Sequence, residues 1–328
     1  MNTWLPDPDA TAAYGAAIRN RLIESLLELA RACRAVVAID EAALAAQLAA
    51  LQRTPRPRPG VFLLYYDCLA AVRRDDAEQL ASLLQQLSTL APAAPALVVR
   101  GFADASLPAA EWERYQRALQ TDIAAPAEGA PRLAPVAAPR LQAATALLGA
   151  ARAAIAGAAP RLAEEIDLLT TEIIFAGDSR AAAAGFGGAT SFQAWGAIFL
   201  NVHRHTSLVR MADGLVHEAA HARLLAQSGG AAMVANDNAT RYRSPLRPDP
   251  RPMEGIFHAS FVSARICWAL DRLLASDRLA PNERNEAAQA RDRAARAFRD
   301  GYATLCESGR PTPLGGELIA GAAAYMLG

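Results

Sequence analysis

Ile18, Leu22, Leu26, Leu29 and Cys33 recur at spacings of three and four. That period gathers them on one face of a helix, and helices are predicted over residues 10–53. Residues 54–60, Thr-Pro-Arg-Pro-Arg-Pro-Gly, interrupt the pattern, because proline lacks an amide donor and biases its predecessor away from helix. A second helical block is predicted over 61–90, a short strand over 96–100 and a helix over 112–120. Residues 122–139 are rich in Ala, Pro and Gly. They predict a boundary that divides the chain into a helical N-terminal domain, 1–135, and a second domain, 136–328.

The texture then changes. A helix is expected over 140–156, and the β-branched, apolar run 166–175 reads as a strand. A loop over 177–188 leads to a second strand over 195–202. Helices follow at 211–227, stopped by Ser228-Gly229-Gly230, and at 253–275 and 282–308, with a polar, proline-rich loop over 231–252. The expected class is α+β, predominantly helical.

The chain has 328 residues with 33 basic and 33 acidic side chains, so no basic field marks it as a nucleic-acid binder. Every basic residue is Arg. The lack of lysine excludes a Schiff-base enzyme, a GK[ST] phosphate loop and kinase machinery. Four scattered cysteines form no CxxC pair and read as buried small hydrophobes. The N-terminus lacks signal-peptide features, and the Ala-rich stretches read as too short or too interrupted to span a bilayer. A cytoplasmic protein without membrane partners is expected.

All five histidines, His203, His205, His217, His221 and His258, fall within residues 203–258. His217-Glu218-Ala219-Ala220-His221 is an HExxH motif inside a predicted helix. Residues four apart lie one above the other, so both imidazoles point the same way and form half of a metal site. Glu218 is placed to reach a metal-bound water. The residues after His221 lack the metzincin extension. A third ligand is available from Glu254, giving a gluzincin set, or from His258, giving three histidines. The two are four apart on one helical face. His203 and His205, two apart at the end of a predicted strand, are expected to face the same way.

The helix motif L-V-H-E-x-x-H at 215–221 and the later segment S-P-x-R…R-P-x-x-G-x-x-H at 244–258 resemble those of the HExxH-motif family of peptide-modification proteins. These proteins are encoded with ribosomally made precursor peptides. The resemblance covers about residues 160–262. It implies an iron(II)- and 2-oxoglutarate-dependent peptide hydroxylase on a zincin-like scaffold, with His258 as third ligand. It leaves Glu218 to orient a water or the substrate. The distal carboxylate of 2-oxoglutarate needs a cation, and Arg251 and then Arg247 are the candidates, because a guanidinium grips a carboxylate with two parallel bonds. Ser244 adds a hydroxyl. The helical first half is a candidate holder of a leader or substrate peptide. An edge strand beside the metal receives extended peptides in zincin-like folds, and 195–202 is the candidate strand. The rival readings are a zinc metallopeptidase with Glu218 as general base, and a non-catalytic peptide-binding scaffold that keeps a structural metal.

Overall fold

The computed structural model describes residues 3–37, 39–92, 96–120, 133–178, 186–246 and 249–328. The chain is α+β and mostly helical, with 66% helix and a small mixed sheet. The first part holds α1 (Pro8–Cys33), α2 (Glu41–Gln52), α3 (Pro59–Arg73), α4 (Ala77–Thr89), β1 (Val98–Gly101) and α5 (Ala109–Gln120). The proline-rich break falls where expected, and Pro59 opens α3. The block 61–90 is two helices, because Asp75 adopts a positive φ of 56° between them and Asp76 caps α4.

After β2 (Leu133–Ala134) come α6 (Ala138–Ala158), α7 (Pro160–Leu169) and β3 (Glu172–Asp178). The expected strand 166–175 is thus half wrong. Leu162, Ile166 and Leu169 share the buried face of α7, and the strand begins only after the β-branched pair Thr170-Thr171. β4 (Gly188–Thr190), a 3-10 turn (Phe192–Ala194) and β5 (Ala197–Asn201) precede α8 (Leu208–Ser228). α9 (Met253–Ala275), α10 (Pro281–Ser308) and α11 (Pro313–Leu327) complete the chain. By length and composition α6 meets the criterion for a membrane span, contrary to the sequence expectation; its Leu148, Ala151 and Ile155 are buried in the core.

The sheet runs β1-β3-β5-β4, with β2 paired to β3. β1, β3 and β5 are parallel, and β4 lies antiparallel to β5 at the edge. β5 is therefore paired on both sides. Among the described strands β4, not β5, ends the sheet on this side, which corrects the assignment of 195–202 as the peptide-receiving edge. Side chains alternate across the sheet, as strand geometry requires. Ile173, Phe175, Ile198 and Leu200 pack with α6, α8 and α9. Ile174, Ala176 and Phe199 pack on the other face with Leu63, Trp112 and Tyr115. Ile18, Leu22 and Leu26 join Leu169, Trp195, Ala222 and Ala226 in a third core, so packing continues across residue 135. Among the cysteines, Cys68 and Cys267 are buried as expected, whereas Cys33 is half-buried and Cys306 exposed. Burial pushes both buried thiols up to about 12, so they are inert hydrophobes.

Candidate metal centre

The HExxH segment lies in the middle of α8, as its sequence implies. Ser207 caps the helix by accepting from the Arg210 amide, and Gly229 ends it with φ 62°, a conformation that suits glycine. Leu215, Val216, Ala219 and Ala220 are buried against the sheet and α9. That burial fixes the rotation of α8 and turns His217 and His221 to the opposite side, where both stay half-buried. Their Nε2 atoms stand 3.3 Å apart and their ring centroids 5.0 Å apart.

That separation bears on metal binding. Two imidazole nitrogens at about 2.0–2.1 Å from one ion, at a near-tetrahedral angle, are themselves roughly 3.3 Å apart. The third histidine is close: the His258 and His221 ring centroids are 5.6 Å apart. Its Nε2 instead faces Glu254 Oε1 at 3.4 Å. Among the described residues no three His, Cys, Asp or Glu side chains are gathered as a ready-made ligand set. The donors fit the implied ion in kind, since imidazole suits iron and zinc alike.

Glu254 is held elsewhere. Its carboxylate accepts the Met233 amide at 3.0 Å and the Val234 amide at 3.2 Å. Burial pushes this carboxyl up. The hydrogen bonds from His258 and Met233, the charge of His258 and the Val234 amide outweigh burial and keep it below the ordinary carboxylate range. Glu254 thereby pins the loop after α8 to the start of α9 and leans on His258. A carboxylate behind a ligand histidine commonly fixes its orientation and raises its basicity.

Glu218 is buried at 3% exposure. Thr190 of the edge strand donates its hydroxyl to Glu218 Oε2 at 2.9 Å, and Glu218 Oε1 stands 3.9 Å from His217 Nε2. A Cβ on Gly188 would come within 2.5 Å of Glu218 Oε1, so a larger residue there would push the Glu218 side chain aside. Glu218 is thus tied to β4.

The other predicted residues lie as follows. Arg251 is buried, its Nε is 2.9 Å from Asp249 Oδ2, and its backbone exchanges both hydrogen bonds with Tyr242. Ser244 Oγ accepts the Leu246 amide at 3.4 Å. Arg247 lies outside the described residues. His203 and His205 do not face the same way, because β5 ends at Asn201 and a turn follows. His203 is exposed, and His205 is buried with Nδ1 2.9 Å from the Arg210 carbonyl and Nε2 2.9 Å from the Gly187 carbonyl. Burial lowers the His205 pKa. His205 ties the first turn of α8 to the segment entering β4.

The side of α8 turned toward α7 carries a second polar cluster that sequence reasoning missed. Glu165 of α7, fully buried, accepts from Arg223 Nε at 3.2 Å and from Arg265. It also takes the Asp7 amide at 3.1 Å and the Thr11 hydroxyl at 3.3 Å. Arg265 donates to the Trp4 carbonyl, and Arg223 lies over the Tyr14 ring. No periodicity marks such a cluster; the only sequence signal was charged residues at apolar positions of three helices.

No family model matches the chain, and no curated protein is similar enough to match it.

Proposed function

We propose that the chain is an iron(II)- and 2-oxoglutarate-dependent hydroxylase of a ribosomally made precursor peptide, built on a zincin-like scaffold. The observation that carries this reading is the pair of imidazole nitrogens 3.3 Å apart on α8, with His258 beside them and Glu218 drawn to the edge strand. His217, His221 and His258 would hold the iron. Iron with 2-oxoglutarate supplies the oxidising power to place one oxygen atom in a C–H bond.

The remaining roles belong to the chain itself. Glu218, held by Thr190 through Oε2, orients a water or the substrate. The outer edge of β4 offers main-chain groups to an extended peptide running past Glu218. The parallel strands with an antiparallel edge strand beside the motif helix support the zincin-like scaffold. Arg251 binds the distal carboxylate of 2-oxoglutarate, sharing its guanidinium with Asp249. The role of Arg247 as the alternative cation follows from its place in the sequence, as does the hydroxyl of Ser244.

The test is cosubstrate turnover. Protein loaded anaerobically with iron(II), then given oxygen, ascorbate and 2-oxoglutarate, should release succinate, and the zinc-loaded protein should not, because zinc has no accessible redox chemistry. Equal behaviour of both forms, with no succinate, overturns the reading.

A further inference from the structure

We infer that the basic pocket between α3 and α5 binds an acidic segment of a peptide. The inference deepens the peptide-tailoring reading, on which it rests for its biological role, by naming the class of peptide. The pocket has a volume of about 470 Å³, within the range of roughly 300–1,000 Å³ usual for ligand sites.

Four guanidiniums line it: Arg73, Arg74, Arg114 and Arg117. One carboxylate answers them. Asp67 takes Arg114 Nε at 2.8 Å and Arg117 at 3.0 Å. Arg73 and Arg74 are exposed and make no ion pair among the described residues. Asp75 and Asp76 follow them in the chain outside the pocket lining, and Asp76 caps α4. Among the lining residues guanidiniums outnumber carboxylates four to one, and a concave wall focuses that charge.

The spread of the charges selects the ligand. Asp67 and Arg73 are six residues apart on α3, about 9 Å along the helix axis. One phosphate cannot meet both ends, whereas carboxylates spaced along an extended chain can. Leu63 and Leu83 add apolar wall, suited to an aliphatic side chain between the acids. Gln193 also lines the pocket, three residues beyond the end of β4. Gln193 thus brings the pocket close to the end of β4 in the chain.

The probe is a fluorescein-labelled peptide containing Asp-Leu-Glu-Asp, with an Asn-Leu-Gln-Asn counterpart, titrated by anisotropy against the full chain without metal. The acidic peptide should bind at least about tenfold more tightly, and R73Q/R74Q should weaken it about five- to tenfold with an unchanged thermal melt. R73E/R74E should abolish binding. Equal binding of the two peptides, no binding of either, or an unaffected R73Q/R74Q variant overturns the inference. Displacement of the peptide by millimolar inorganic phosphate overturns it in favour of a phosphate site. Neither metal nor turnover enters this measurement, so docking and hydroxylation fail separately.

Discussion

The two sides of α8 carry polar groups in opposite conditions. On one side Arg223 and Arg265 meet Glu165, and an amide, a hydroxyl and the Trp4 carbonyl join the same cluster. In this cluster one carboxylate serves two guanidiniums, with neutral partners around them, and it fastens residues 3–11 to the back of the motif helix. On the other side two imidazoles turn nitrogen toward nitrogen across 3.3 Å. A proton between them satisfies that arrangement partly; a cation satisfies both nitrogens together. The first arrangement holds the fold together; the second is the one on which the proposed metal reading rests.

Breaking the first side should have the largest effect. Glu165→Ala leaves two buried guanidiniums without their carboxylate and should cost about 3–5 kcal/mol in urea unfolding, with metal content unchanged in the fraction that stays folded. A loss under about 1 kcal/mol would mean the cluster is ornamental.

Breaking the second side should give the reverse result. His217→Ala, His221→Ala and His258→Ala should each lose most of the bound metal while melting close to the parent. Glu254→Gln should still load at saturating metal, with affinity weakened about tenfold, because it removes only the support behind His258. An empty Glu254→Gln site beside a loaded His258→Ala site would make Glu254 the third ligand.

Arg251→Gln sharpens the second side. It should raise the KM for 2-oxoglutarate roughly 10- to 100-fold and spare metal, the loss expected for one charged hydrogen-bonded grip. An unchanged KM in Arg251→Gln, in Arg247→Gln and in the double variant would move the carboxylate elsewhere.

The smallest effect tests the rest of the same helix. Burial pushes the Asp213 carboxyl from its ordinary 3.8 up to about 6, with Arg293 acting in the opposite direction. The folded protein therefore holds this proton more tightly than the unfolded chain. The associated stability is full below about pH 3.8 and is lost as pH rises through about 6. Above that range Asp213→Asn should be more stable than the parent by on the order of 1–2 kcal/mol, and the difference should vanish in acid. Parallel stability–pH curves for the two proteins would rule this out.

The sequence made one side of α8 readable and hid the other. HExxH is a local spacing, and a helix converts it directly into convergent imidazoles. α9 matched its expected bounds, Met253–Ala275, because Pro252 and Ser276 punctuate a long apolar period. The sequence of α7 reads as strand because a short apolar run fits either period. α11, absent from the sequence expectations, starts at Thr312-Pro313, a helix-start signal. The edge position of β4 and the Glu165 cluster depend on contacts between residues far apart in the chain, as in Arg265 with Trp4. Composition and spacing carry no trace of those.

The central claim is that the imidazole side of α8 supports oxygen insertion and not bond hydrolysis. Mass spectrometry of the precursor peptide after incubation with the iron(II)-loaded protein, oxygen, ascorbate and 2-oxoglutarate tests it most directly. The account predicts an intact peptide heavier by one oxygen atom, abolished by His258→Ala. Two fragments sharing the mass of one water, formed by the zinc-loaded protein without 2-oxoglutarate, would contradict it.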